Sequence, residues 1–150
     1  MNLKYLKNTE NLEFFSIQEV IPSSLSVFSN AVQAGFPSPA DDYMESDLDL
    51  NDYLVQNPSA TFCVKAIGDS MKDAGISSGD IMVVDKSLEP KNRSIVLAII
   101  DGEFTVKRVN INSNKLYLVP ENNDFLPIEI TEEMDFKVWG VVTYVIHKAV

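Results

Sequence analysis

The sequence holds a single cysteine, Cys63, and a single histidine, His147. One thiol cannot form an internal disulfide, which fits a reducing compartment. A zinc site built from Cys and His needs several such ligands and is excluded. A serine or cysteine nucleophile activated by imidazole would have to use His147, three residues from the end. A hydrolase with this composition therefore needs another base. Basic side chains are also scarce: 12 Lys and Arg stand against 22 Asp and Glu, a net charge of −10. Phosphate binding is driven by Lys and Arg clusters, so non-specific binding to nucleic acid or to anionic membranes is disfavoured. The longest uninterrupted apolar run, Ile95 to Ile100, is too short to span a bilayer. The amino terminus shows no apolar signal-peptide core. The expected location is the cytoplasm.

What is present is enough apolar material for a core, 45% of 150 residues, in a chain that fits one domain plus a tail. Residues 1–40 carry no glycine before Gly35, and Pro22, Pro37 and Pro39 interrupt any long helix. They read as an extended N-terminal arm with at most short helical pieces. Residues 41–150 read as the domain. Its first stretch, residues 41–57, holds Asp41, Asp42, Glu45, Asp47, Asp49 and Asp52 and no base. Asp47 or Asp49 suits the cap of a short helix carrying Leu50, Tyr53, Leu54 and Val55. The acidic cluster lacks the glycine of a calcium loop and reads as a solvated helix face.

From Pro58 onward the pattern is β. ATFCVKAI, IMVVD, SIVLAII, EFTVKRV, KLYLV and FKVWGVVTYVI are rich in Val, Ile, Phe and Tyr. Turn residues separate them at Ser78-Gly79-Asp80, Asp101-Gly102 and Asn112 to Asn114. Asp101-Gly102 between two β runs is a hairpin signal, because both residues tolerate positive φ. The fold class expected is mostly β: compact and antiparallel, with a small helical insert at SMKDAGI. Trp139 and Tyr144 lie in a strongly apolar last strand and read as core or dimer interface. His147 reads as a polar residue near that strand's end.

Three places could carry chemistry. Gly68-Asp69-Ser70-Met71 lies between a strand and a helical turn. There a serine can present its Oγ beside unpaired backbone N–H groups, the elements of a nucleophile and an oxyanion hole. The same geometry would also serve a helix N-cap. Lys107 follows the Asp101-Gly102 turn inside a strand, and alternation places Glu103, Thr105, Lys107 and Val109 on one face. Exposed, it would be an ordinary strand lysine. Desolvated, its amine loses its proton more readily and can take one from a serine. The Ala34-Gly35 bond lies within VQAGFPSPA and joins two small residues, in a stretch suited to entering a cleft in extended form. An ordinary linker would have the same composition.

Together, QAGFPSPA, PSATFCVKAIGDSM, GDIMVVD and DGEFTVKRV resemble the LexA/UmuD family of self-cleaving Ser-Lys peptidases, from about Val32 to the end. The resemblance implies a LexA/signal-peptidase-like β fold. It implies Ser70 as nucleophile, Lys107 as general base, and the backbone N–H groups of Asp69 and Ser70 as the oxyanion hole. It implies Ala34-Gly35 as the scissile bond, with release of residues 1–34. It implies no cofactor and no metal. The implied partners are a second copy of the chain, a RecA-type filament on single-stranded DNA that stimulates cleavage, and a UmuC-like Y-family translesion polymerase subunit. The implied role is an SOS response to DNA damage. The segment before Gly35 is longer than is usual in the family, a departure that leaves its docking and any added contact open. It has two lysines, no arginine and too little room for a helix-turn-helix, so sequence-specific DNA binding is not expected. Two other readings keep the same fold: a non-enzymatic module that regulates the polymerase by binding, and a peptidase acting on other proteins.

Overall fold

The computed structural model describes residues 2–8, 12–18, 24–28 and 45–150. From Thr61 on, strands follow the β-branched runs closely: β5 (Thr61–Ala66), β6 (Ile81–Asp85), β7 (Ile95–Ile100), β8 (Glu103–Asn112), β9 (Lys115–Val119), β10 (Ile128–Ile130) and β11 (Phe136–Ile146). The β7–β8 hairpin turns at Asp101 and Gly102, with φ of 49° and 85°, and pairs Ile100 with Glu103. Positive φ at both positions matches the twist of the flanking strands, which is why Asp-Gly is favoured there. Ser113 and Asn114 repeat this between β8 and β9, with φ of 50° and 63°.

Four further strands precede these. They are β1 (Asn2–Asn8), β2 (Leu12–Gln18), β3 (Ser24–Phe28) and β4 (Glu45–Asp49). The main sheet has the order β1-β2-β5-β6-β11-β7-β8-β9-β10, and β3 and β4 form a separate two-stranded sheet. Every pairing is antiparallel. The mostly β, antiparallel expectation thus holds. Residues 2–8 and 12–18 are strands β1 and β2, and they are built into the main sheet. Part of the acidic stretch differs from expectation. Glu45–Asp49 is a strand against β3 rather than a helix face, because a partner far away in sequence satisfies its backbone. The helix is confined to α1 (Leu50–Leu54). Its cap is Asp49, whose Oδ1 accepts from the backbone N–H of Asn51 at 2.8 Å and of Asp52 at 3.4 Å.

Alternation divides the buried side chains into two clusters. Leu12, Phe14, Val64, Met71, Met82, Val84, Leu97 and Val106 form one. Val96, Ala98, Val109 and Leu118 form the other. On β7 the neighbours Val96, Leu97 and Ala98 go to opposite clusters, as a strand covered on both sides requires. Trp139 packs edge-on against Phe104 at 5.4 Å and lies at the rim of the first cluster. Lys86 Nζ sits 4.8 Å from the centre of its ring. No helix among the described residues is long and apolar enough to cross a membrane.

Leu97 is fully buried, whereas Leu126 is 84% exposed. Leu97→Ala should therefore lower unfolding stability by about 2–5 kcal/mol. Leu126→Ala should change it by less than about 0.5 kcal/mol. Urea denaturation of the two variants checks the contrast.

Candidate active site

β5 ends at Ala66, and the chain turns through Ile67, Gly68 and Asp69 into Ser70. Gly68 has φ of 100°, a conformation an L side chain would strain, so the turn into the serine relies on that glycine. A 3₁₀ turn follows at Lys72–Ala74. Its N-cap position is Met71, with no side-chain cap. Ser70 is thus not a capping residue. Its hydroxyl instead meets Lys107 of β8, with Nζ 3.3 Å from Oγ.

The amine is held on its other sides. Lys107 Nζ donates to Thr105 Oγ1 at 2.8 Å and to the Val106 carbonyl at 3.0 Å. A neutral amine has two N–H donors and one lone pair. The Thr105 and Val106 oxygens take the two hydrogens, which leaves the lone pair for the Ser70 hydroxyl. A charged ammonium would spend its third hydrogen on that oxygen instead. Burial favours the neutral form. Lys107 is only 9% exposed, and desolvation lowers its pKa from the ordinary 10.5. An ion pair on the same strand joins Arg108 to Glu121.

Two straps hold the serine turn. The first is the loop after β9. The Glu121 N–H donates to the Ser70 carbonyl at 2.8 Å, and the Asp73 N–H donates to the Glu121 carbonyl at 2.8 Å. The buried Asn122 amide donates to the Asp69 carbonyl at 2.8 Å. In a trans peptide the C=O and the following N–H point opposite ways. With the Asp69 carbonyl bound to Asn122, the Ser70 N–H points away from that loop. The second strap centres on Asp80, which is 4% exposed. Its Oδ2 accepts from the Ser77 N–H at 2.8 Å, and its Oδ1 lies 2.6 Å from His147 Nδ1. Ser78 Oγ accepts from the Gly68 N–H at 3.1 Å, and the Gly79 N–H donates to the Ala66 carbonyl at 2.7 Å. His147, read from sequence as a terminal polar residue, therefore ties the end of β11 to the turn that supports Gly68.

Ser70 and Lys107 open into a cleft of about 180 Å³, walled by Leu12, Met71, Ile76, Phe104 and Phe125. Most of this wall is apolar, which keeps water from the amine. The structure thus brings Ser70, Lys107 and Asp69 together. Ala34 and Gly35 lie outside the described residues. Sequence reasoning placed Thr105 on the face of Lys107 but gave it no role. It missed Asn122 and Asp80, which come from distant stretches and lack any local signature. Among the described residues, no group of three or more His, Cys, Asp or Glu side chains gathers to hold a metal.

The lowered pKa of Lys107 carries a stability consequence with a definite sign. The unfolded chain holds this proton up to pH near 10.5, while the fold favours its loss at lower pH. Between the folded and unfolded pKa values stability rises with pH, and below both the penalty is complete. Lys107→Met should therefore stabilise the protein most at acidic and neutral pH, with the gain shrinking as pH climbs toward 10.5. Denaturant titrations across that range check it. A gain independent of pH would contradict the burial of a titrating amine.

Comparison with known proteins places this geometry in a family. Residues 26–143 match the Peptidase S24-like family. The chain is 50% identical to the protein SamA of Salmonella typhimurium over 131 residues, 87% of this chain and 91% of that protein. It is 45% identical to ImpA of Shigella flexneri over 123 residues, covering 81% of this chain and 83% of that one. It is 42% identical to MucA of Escherichia coli over 122 residues, with coverage of 81% and 83%. The chain belongs to the Peptidase S24-like family, as a UmuD-like SOS mutagenesis protein of its LexA/UmuD branch.

Proposed function

We propose that this protein is a Ser-Lys peptidase that cleaves its own chain between Ala34 and Gly35. The observation that carries the reading is the 3.3 Å approach of a buried, uncharged-leaning amine to a serine hydroxyl in an apolar cleft. Neutral Lys107 takes the Ser70 proton while Oγ attacks the Ala34 carbonyl carbon. The backbone N–H groups of Asp69 and Ser70 stabilise the oxyanion of the tetrahedral intermediate. The Lys107 ammonium then gives its proton to the Gly35 nitrogen, and the C–N bond breaks. Water, deprotonated by the same amine, hydrolyses the Ser70 ester and regenerates the site. The products are residues 1–34 and 35–150.

The family relationship supports a setting for this reaction. Cleavage is slow until a RecA-type filament on single-stranded DNA stimulates it. The product dimerises and serves as the regulatory subunit of a UmuC-like Y-family translesion polymerase in the cytoplasm.

Purified protein held at mildly alkaline pH should split into two fragments whose masses place the cut after Ala34. Ser70→Ala and Lys107→Ala should each lower the rate by at least about a hundredfold. The rate should rise with pH, because the base works unprotonated, and level off at a midpoint below the ordinary lysine value of 10.5. Cleavage of Ser70→Ala at the unaltered rate would end the dyad assignment. Asn122→Ala removes the donor to the Asp69 carbonyl and should slow cleavage by about ten- to a hundredfold through misplacement of the serine turn. Its pH midpoint should stay where it was, since the surroundings of Lys107 are untouched. Mass spectrometry of timed samples across pH reads both outcomes.

A further inference from the structure

Residues 1–34, the segment on the amino-terminal side of the Ala34-Gly35 bond, are not only a leader to be cut away. Two of the three strands they contribute pair with strands that lie beyond the bond. β2 pairs with β5 from Leu12↔Ala66 to Ser16↔Phe62. β3 pairs with β4 from Ser24↔Asp49 to Phe28↔Glu45. The third strand, β1, pairs with β2. The side chains of Leu12 and Phe14 on β2 belong to the core. Leu12 and Phe14 are 4% and 5% exposed. Phe14 stacks on Phe62 with ring centres 6.4 Å apart and lies 4.8 Å from the ring of Phe104. Lys65 Nζ meets Glu13 at 3.5 Å. Lys7 Nζ sits 5.3 Å from the Phe14 ring and 5.2 Å from the Phe104 ring.

Resting on the self-cleavage reading, we propose that the outer edge of β5, together with β4, is a docking surface for the chain's own amino-terminal fragment. That surface holds residues 1–34 on the body after the bond at Ala34-Gly35 is cut. The cut falls in residues 29–44 and leaves the β2–β5 and β3–β4 ladders untouched. Departure of the fragment would strip β5 of its partner and leave an unpaired edge strand, a template for aggregation. It would also uncover Phe62 and Phe104. The hairpin of β1 and β2 lies before residue 26, outside the residues that match the family. Leu12 is also a wall of the cleft that holds Ser70 and Lys107. The retained fragment therefore keeps that wall in place, and the cleaved protein is a nicked two-chain body with its catalytic cleft still closed on that side.

The test separates docking from self-cleavage. In a full-length Ser70→Ala protein, a recognition sequence for a site-specific protease replaces part of residues 29–44, and that protease makes the cut. Size exclusion and native mass spectrometry under non-denaturing conditions should find both fragments in one species. Elution of the amino-terminal fragment by itself would overturn the inference. In the same nicked protein, Phe14→Ala should weaken retention by at least about tenfold, because it empties a buried aromatic site. Retention unchanged by Phe14→Ala would also overturn it, since the β2 anchor would then not be holding the fragment. If the unmodified protein never cuts itself while the nicked form stays whole, the peptidase reading fails and the docking surface stands.

Discussion

The rest of this structure depends on keeping one lysine amine dry beside one serine hydroxyl. An exposed lysine is charged at neutral pH and cannot accept a proton. Lys107 escapes that state because β8 carries it into the interior, where burial penalises the ammonium. The Thr105 hydroxyl and the Val106 carbonyl then direct its hydrogens away from Ser70. A polar group so buried is tolerable only because its donors are satisfied. The fold pays for the site by holding an ionisable group where its charge is unwelcome, which is the usual origin of a tuned catalytic amine.

The serine needs as much support as the lysine. Ser70 stands on a short turn with no long helix behind it, and such a turn would wander unless its carbonyls were held. Asn122 and the Glu121 N–H hold them from the loop after β9. The Asp80 network, with His147 at its outer end, holds Gly68 from the opposite direction. Nucleophile and base therefore rest on elements that are far apart in sequence, and their meeting distance reports the integrity of the whole sheet. Membership in the Peptidase S24-like family fits this arrangement, since the matched residues 26–143 include both side chains and both straps except for His147.

The amino-terminal hairpin changes how the arm is understood. Composition marks residues 1–40 as extended and turn-rich, and the strands there are extended. The sheet context is what composition could not supply. Leu12 and Phe14 on β2 are buried, yet Tyr5 and Leu6 on the adjacent β1 stay more than half exposed. Only the presence of β5 at the right register decides which of these apolar residues are buried. The same holds for β4, where five residues of acidic chain become a strand because Ser24–Phe28 lies alongside.

Local chemistry alone accounted for much of this protein. β-Branched runs and Asp-Gly or Asn-rich turns located β5 to β9 and β11, since steric preference and positive φ act within a few residues. The same short-range rules offered Asp47 or Asp49 as a helix cap, of which the fold uses Asp49, and placed a turn at Gly68-Asp69-Ser70. Period-two alternation put Thr105 and Lys107 on one face. Proximity and burial were settled only by folding. Whether Ser70 capped a helix or faced an amine depended on where a strand thirty-seven residues away came to rest. Whether Lys107 kept its charge depended on how much water the packed sheet excluded. Both are sums over distant neighbours, and no window of sequence contains them.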